Sequence, residues 1–387
     1  MSATFQRVPM GEVATFKTGK LDSNAAVENG AYPFFTCSRD TFRTNTYSFD
    51  DEVVLLAGNN ANGIYPLKYF KGKFDAYQRT YVIRPIDESR LDTRFLYFAL
   101  RPQLDHLRSV STGSATKFLT MGLLSNLELP LPDLPTQRKI AGILSAYDDL
   151  IENNLRRIKI LEQMAQSLYR EWFVHFRFPG HESARFIDSS LGQIPKGWEV
   201  KTIADICQSV SYGFTASASR ENIGPKFLRI TDIVPDQIDW ENVPFCEIPE
   251  DKVAKLLLLP GDIVIARTGA TTGYAKRLNK LHPDTVFASY LVRARAKDTV
   301  SNRMLGILME SDDYKKFIQT NLSGSAQPQA NAVVLTSMPL VVPDGVTLEG
   351  FDRFVEPMID EAELLTVKIQ TLRRTRDLLL PKLLSPS

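Results

Sequence analysis

The chain carries two copies of one unit, and that repeat limits its fold more than any other feature. Gly113-Ser114-Ala115 recurs as Gly324-Ser325-Ala326, an offset of 211 residues (324 less 113). The same offset holds without a gap through Leu124/Leu335, Leu129/Leu340, Pro132-Asp133/Pro343-Asp344, Thr136/Thr347, Ile158/Ile369, Leu161/Leu372 and Leu168/Leu379. Upstream the likeness is weaker: Glu52-Val53-Val54-Leu55 faces Asp262-Ile263-Val264-Ile265, and Gly63 faces Gly273, at an offset of 210 (273 less 63). The chain of 387 residues is therefore two diverged copies of one unit.

Each copy reads as a globular α/β part followed by a long helix. VVLLAG, TYVIRP and NLELPLP are short β-rich runs bounded by Gly, Pro and Asp, with DIVIAR, SYLVRARA and MPLVVP as their counterparts. Amphipathic helices are expected over Leu91 to Leu107 and Arg303 to Leu322. Leu-Pro and Val-Pro pairs close the globular parts, and Thr136 or Thr347 is placed to cap the helix that follows.

Those helices hold a coiled-coil spacing. Ile140, Leu144, Tyr147, Ile151, Asn154, Ile158, Leu161, Ala165, Leu168 and Trp172 alternate four and three apart. The second copy repeats the seam with Phe351, Val355, Met358, Ala362, Leu365, Ile369, Leu372, Arg376, Leu379 and Leu383. Either stripe alone would be exposed, so the economical arrangement pairs the two helices; since each leaves its own globular part, antiparallel pairing would put those parts at opposite ends. Asn154 and Arg376 interrupt the seam, either to fix its register or to reach solvent at a loose stretch. Pro357 lacks an N–H and is expected to kink or break the second helix.

Composition excludes some classes. Hydrophobic residues make up 43% and charged residues 24%, the balance of a folded globular protein rather than a disordered one. No apolar stretch is long enough to span a membrane, and MSATFQRVPMGEV lacks the apolar core of a secretory leader. Cys37, Cys207 and Cys246 are scattered and odd in number, which suits a reducing cytoplasm. The charge balance, 46 Lys+Arg against 45 Asp+Glu, is not that of a chain gripping nucleic acid by composition alone.

Leu134-Pro135 followed by QRKIAGILSAYDDLIENNLRRIKILEQMAQSLYREWFVHFRFPG resembles the central region of type I restriction–modification specificity subunits. The residues carrying the likeness are Gln137, Ile140, Leu144, Asp148, Ile151, Asn154 and Leu161-Glu162, ending in Trp172-Phe173-Val174. Gly192-Gln193-Ile194-Pro195-Lys196-Gly197-Trp198 resembles that family's lead-in to its second target-recognition domain. Gly261-Asp262-Ile263-Val264 with Arg267-Thr268-Gly269-Ala270-Thr271-Thr272-Gly273 resembles a motif inside that domain. The first half departs: it opens on Phe5-Gln6-Arg7-Val8-Pro9, and Ala57-Gly58-Asn59-Asn60-Ala61-Asn62-Gly63 stands where the Arg-Thr-Gly motif would be.

The resemblance implies an α+β chain of two α/β target-recognition domains in tandem, separated by two long antiparallel coiled-coil spacer helices with pseudo-twofold symmetry. The expected divisions are a first recognition domain over 1–133, a central helix over 134–178, a second recognition domain over 179–345 (its lead-in 179–198), and a C-terminal helix over 346–387. Each domain would read one half of a bipartite DNA sequence. The helices would set the gap and dock two adenine-methylating modification subunits, with restriction/translocation subunits as further partners. S-adenosylmethionine, Mg²⁺ and ATP would belong to those partners, and no cofactor to this chain. Helices of about 35–39 residues span roughly 52–58 Å at 1.5 Å per residue, about 15–17 base-pair steps of DNA.

Bases are read at their edges, while phosphate contacts position the protein. Arg267 opens a Gly/Thr loop after an apolar strand, so its guanidinium is expected at a loop rim, on guanine O6/N7 or on phosphate. Thr268, Thr271 and Thr272 add hydroxyls, and Gly269 allows close backbone approach. Asn59, Asn60 and Asn62 offer amides suited to adenine, although Asn-Gly clusters also make plain turns. Ser114, Thr116 and Lys117 in the first copy and Ser325, Gln327 and Gln329 in the second occupy matching polar loops, either contact loops or solvated connections. Tyr212-Gly213, Arg229 and Thr231, with Ser38-Arg39, Tyr77 and Arg79, complete the candidates, the tyrosines fitting a core equally well. Trp172-Phe173-Val174-His175-Phe176 reads as packing rather than a base-stacking platform.

Signals for chemistry are weak. There is no Pro-Pro pair of an adenine methyltransferase motif and no phosphate-binding G-x-x-x-x-G-K-[ST] loop. His106, His175, His181 and His282 lack metal-ligand spacing, so no metal site is expected. Pro235-Asp236 with Glu250-Asp251-Lys252 fits a loose carboxylate–lysine pattern for metal-dependent cleavage. It leaves a self-contained nuclease with duplicated DNA-binding domains as the alternative to a non-catalytic, cytoplasmic recognition subunit.

Overall fold

The computed structural model describes residues 5–60, 64–111, 117–235, 237–322 and 330–385. Contacts divide the chain into two units, Met1–Glu152 with Thr371–Ser387, and Asn153–Gln370. Each unit therefore holds one globular copy together with a stretch of both long helices.

In the first unit, four antiparallel strands lie in the order Ala14–Thr18, Thr80–Pro85, Phe49–Ala57 and Leu67–Ala76. The second unit builds the same four-stranded order from Cys207–Tyr212, Leu291–Ala296, Ile263–Ala266 and Ala275–Arg277. The central strand is apolar and buried over Val53–Ala57 in the first unit and Ile263–Ala266 in the second, where both its faces are covered. Val54 and Leu56 point into a core shared with the helix Thr93–Leu100, whereas Val53 and Leu55 meet Phe35, Phe49, Phe70 and Phe74. Ile263 and Ile265 likewise part from Val264 and Ala266, as the two-residue period of a strand requires.

The repeat extends further upstream than the sequence likeness. Gln6–Pro9 pairs with Glu128–Leu131 and leads through the helix Met10–Val13 into the sheet. Glu199–Thr202 pairs with Pro339–Val342 and leads through Ile203–Ile206 in the same way. Between these segments and the central strands the copies part. The first adds Tyr32–Phe35, parallel to Leu67–Ala76, and the edge strand Thr41–Thr44. The second inserts Lys226–Leu228, parallel to Thr285–Phe287, with the helices Ile230–Ile233 and Glu250–Leu256.

Three expectations are corrected. The single helices expected over Leu91–Leu107 and Arg303–Leu322 are each broken in two. Pro102 lies between Thr93–Leu100 and Leu104–Val110, where its missing N–H ends the first ladder. Ser311 starts Asp312–Thr320 after Asn302–Met309, its hydroxyl accepting the Tyr314 N–H at 3.2 Å. The long helices are capped by Asp133 and Asp344, not by the threonines: their carboxylates accept the N–H of Thr136 at 3.0 Å and of Thr347 at 2.9 Å. Pro357 does not break Gly345–Leu384, because it is exposed and water can satisfy the carbonyl it leaves without a donor.

The first long helix, Leu134–Tyr169, runs on through a π-helical turn at Arg170–Val174. Every seam position named above is buried or half-buried. Within the first unit Leu144 packs in the core with Leu380 and Leu384, and Asp148 pairs with Arg376. Within the second, Arg157 pairs with Glu361 at 2.7 Å, while Trp172 meets Phe351 with ring centres 5.8 Å apart. In both units rising numbers on one helix meet falling numbers on the other, so the pairing is antiparallel. Trp172 and Phe173 are buried, Phe173 against Trp198, which makes this aromatic run packing.

Candidate nucleic-acid interface

In the first unit the sheet gathers most of the candidates at one end. Ala57 faces Thr80 across antiparallel strands, and Tyr32–Phe35 runs parallel to Leu67–Ala76. The segments Thr36–Arg39, Gly58–Asn60 and Tyr77–Arg79 therefore leave the sheet together. Asn59–Asn60 forms a short antiparallel pair with Lys117–Phe118, which adds Lys117 to the same end. The Cys37 thiol donates to Asn59 Oδ1 at 2.9 Å and lies 3.4 Å from the Arg79 carbonyl. Arg79 is exposed, its guanidinium 5.4 Å from the centre of the Phe118 ring. Arg39 is exposed, whereas Tyr77 is half-buried and Ser38 Oγ accepts the Asp40 N–H at 3.1 Å within its own turn. Beside that turn the Lys68 ammonium donates to the Asp40 carbonyl at 2.7 Å, and burial pulls its pKa down to about 8.

The matching end of the second sheet carries the Arg267 loop. Ala266 stands opposite Leu291 and Tyr212 opposite Val292, so Arg267, Tyr212 and Tyr290 leave the sheet together. The Arg267 guanidinium lies 5.0 Å from the centre of the Tyr212 ring. Gly269 has φ +78°, the left-handed conformation that favours glycine. The loop closes there, with the buried Thr272 donating its hydroxyl to the Gly269 carbonyl at 2.7 Å. Thr272 thus shapes the loop from inside, while Thr268 and Thr271 are half-exposed. Gly213 follows Tyr212 where a Cβ would stand 2.3 Å from the carbonyl oxygens of Phe287 and Ala288, so only glycine fits.

One backbone bond marks the equivalence of the two ends. The Leu119 N–H donates to the Gly58 carbonyl at 2.8 Å, and the Ala330 N–H to the Arg267 carbonyl at 2.9 Å. Arg229 emerges beside Ala288, since Lys226–Leu228 runs parallel to Thr285–Phe287, but its charge is engaged by both oxygens of Asp232 at 2.9 Å. Thr231 is exposed on the next turn. Asn62, Ser114, Thr116, Ser325, Gln327 and Gln329 lie outside the described residues.

Sequence reasoning missed Phe118, Tyr290 and Phe214. Tyr290 stands where Arg79 does, one residue before the strand that faces the end of the central strand (Thr80 opposite Ala57, Leu291 opposite Ala266), an equivalence that strand register shows and the upstream sequence offset does not. Phe214 carries the Lys252 ammonium 5.1 Å from its ring centre, so the lysine of the nuclease-like pattern is stacked on an aromatic. Asp236 of that pattern lies outside the described residues, and Glu250 and Asp251 are exposed. Among the described residues, no three His, Cys, Asp or Glu side chains are grouped to hold a metal. Nor is any helix there long and apolar enough to cross a membrane. The long helices expose apolar side chains away from their seam: Ile143, Leu150 and Leu378 in the first unit, and Leu155, Ile160, Met164, Phe354 and Leu364 in the second.

Comparison with known proteins gives the following likenesses. The family model described as the type I restriction modification DNA specificity domain matches residues 3–163. The EcoDI type I restriction enzyme specificity subunit of Escherichia coli is 33% identical over 228 residues, 53% of this chain and 50% of that protein. The MjaVIII specificity subunit of Methanocaldococcus jannaschii is 29% identical over 304 residues, 76% of this chain and 68% of that one. The chain thus spans about half the length of the first relative and 68% of the second. In fold it matches the crystal structure of the S subunit of a type I restriction–modification system from M. genitalium, with a TM-score of 0.59 at 16% identity, covering 99% of this chain and 96% of that one.

Proposed function

We propose that the chain is a member of the family of type I restriction–modification specificity subunits, to which it is similar, and that it reads a two-part DNA sequence and carries no chemistry of its own. Residues 1–133 and 179–345 are the two readers, and the helices over 134–178 and 346–387 set the distance between half-sites. The observation carrying this reading is the repeated sheet: both copies open the same end, and each arms it with different polar and cationic side chains. Asn59, Asn60, Arg39, Arg79 and Lys117 serve the first half-site; Arg267, Thr268, Thr271, Tyr212 and Thr231 serve the second.

Methylation of adenine with S-adenosylmethionine, and any ATP- and Mg²⁺-dependent cleavage, falls to partner subunits. The exposed apolar side chains on the helices' outer faces support docking of two modification subunits there. Near-neutral total charge agrees with a reader whose partners supply part of the phosphate contact. The test is to assay the full chain alone and with modification subunits on duplex DNA. Adenine methylation in the mixture, with no cutting by the chain alone in Mg²⁺, is the expected result. Metal-dependent cutting by the isolated chain would overturn the reading in favour of the nuclease alternative.

A further inference from the structure

At the open end of the second sheet the Arg267 guanidinium lies against an aromatic ring and makes only long hydrogen bonds. The guanidinium carbon stands over the ring of Tyr212, 5.0 Å from its centre. The hydrogen bonds on the edge are long, Nε to the Ala330 carbonyl at 3.4 Å and Nη1 to the Ser289 carbonyl at 3.5 Å. Tyr212 is itself fixed, because its hydroxyl accepts the Ala332 N–H at 2.9 Å and its backbone is paired in the strand. It nevertheless remains 44% exposed, and Tyr290 beside it 60% exposed. Stacking costs none of the five N–H donors, and it limits the rotamer freedom that an arginine would otherwise lose on binding.

A planar fork set against a ring, with loosely held donors, suits a partner with two acceptors side by side in one plane. In the major groove only guanine offers that pair, O6 and N7; adenine sets a donor beside its acceptor, which opposes a donor-only guanidinium. The first copy uses the same device from another position. Arg79, at the repeat position of Tyr290, has its guanidinium 5.4 Å from the Phe118 ring centre. The copies thus share the stacked guanidinium but not its place on the sheet end, as two readers of different half-sites would.

We infer that the half-site read by the second copy contains a guanine engaged by Arg267, with Tyr212 as the positioning residue that presents the guanidinium. This deepens the recognition reading above and rests on it. The test selects bound sequences from a pool of random duplex DNA, using the full chain with modification subunits, for wild type, Arg267→Lys, Tyr212→Leu, Tyr212→Phe and Arg79→Lys. Wild type should enrich a two-part motif. Arg267→Lys should lower discrimination at one G·C pair on the order of ten- to a hundredfold, the loss of one bidentate contact. Tyr212→Leu should weaken the same pair, and Tyr212→Phe, which keeps the ring, should retain it. The other half of the motif should survive in the Arg267 and Tyr212 variants, which also shows that they fold, and should be the half that Arg79→Lys alters. An unchanged preference in Arg267→Lys, a uniform loss across all sequences, or an affected half without guanine overturns the inference and leaves the recognition reading standing. If wild type enriches no two-part motif, both fall.

Discussion

The ion cluster in the helix seam of the first unit should respond unequally to removal of its two signs. Arg376 occupies a seam position with its side chain 11% exposed, bonded to Asp148 and, at 2.8 Å, to Asp377. Burial pulls its pKa down, and the bonds to Asp377 and Asp148 more than offset this, leaving it raised. Arg101, at the end of the recognition-domain helix, lies 3.5 Å from Asp148 and 3.9 Å from Asp377. Asp148→Asn removes the carboxylate that both guanidiniums share. They would then depend on Asp377, which is 56% exposed and hydrated. Stranding a fully buried charge costs about 3–5 kcal/mol; with solvent reaching both acids, about 2–3 kcal/mol is expected here. Arg376→Leu strands nothing comparable, because Asp148 is 28% exposed and keeps Arg101, while leucine suits the seam. Its expected cost is about 0–1 kcal/mol. At about 2–4 °C per kcal/mol for a unit of this size, the midpoint of the first unit should fall by about 4–12 °C in Asp148→Asn and by under about 4 °C in Arg376→Leu. Two units need not unfold together, so hydrogen exchange of peptides around 140–150 and 374–384 should accompany calorimetry. Equal or greater loss in Arg376→Leu would refute the argument.

Two further outcomes follow from single side chains. Asp344 caps the second long helix and accepts the Trp198 Nε1–H at 3.1 Å; burial pushes its pKa up, but the Thr347 and Trp198 hydrogen bonds bring it below the usual value. Asp344→Ala should therefore destabilise the second unit by about 1–2 kcal/mol at neutral pH, and the difference from wild type should shrink as acid protonates the carboxylate; a pH-independent difference in urea midpoints would contradict this. Lys68 has the opposite sign: burial lowers its pKa to about 8 from 10.5, so between those values the unfolded chain binds more protons and stability rises with pH. In Lys68→Met the midpoint should rise less than in wild type from pH 8 to 10, and parallel profiles would contradict it.

Much of this architecture was legible in the sequence because repetition and periodicity survive divergence. The seam from Ile140 to Trp172 and from Phe351 to Leu383 was readable since each position meets a partner at heptad spacing, and the apolar runs at Val53 and Ile263 since strands covered on both faces are apolar throughout. The upstream equivalence was hidden. Met10 and Val13 match Ile203 and Ile206 at an offset of 193 (203 less 10), with all four buried. A four-residue helix offers too few positions for a pattern, and insertions of unequal length then shift the offset to 209 at the end of the central strand (267 less 58) and 211 at the start of the next (291 less 80), one residue to either side of the 210 that the sequence suggests. Helix breaks at Pro102 and Ser311 were marked by residues with known effects, whereas Pro357 misled because its cost depends on which side of the helix it faces. For the candidate interface, the sequence named Arg267 and Tyr212 separately. Their stacking arises from strand register, Ala266 opposite Leu291 and Tyr212 opposite Val292, which no local motif encodes. Thr272 and Arg229 looked like contacts by type, yet one hydroxyl closes its own turn and one guanidinium is held by Asp232.

The most direct test of two readers joined by a helical ruler is long-read mapping of methylated adenines in a host carrying the chain and its modification subunits. It should be run for wild type and for a variant with one helical turn inserted at matching seam positions of both long helices. Wild type should methylate a two-part sequence. The longer variant should keep both half-sites and change the spacing between them, by about one to two base pairs for each added 5.4 Å turn. Altered half-sites at constant spacing, or methylation of a single undivided sequence, would contradict the account.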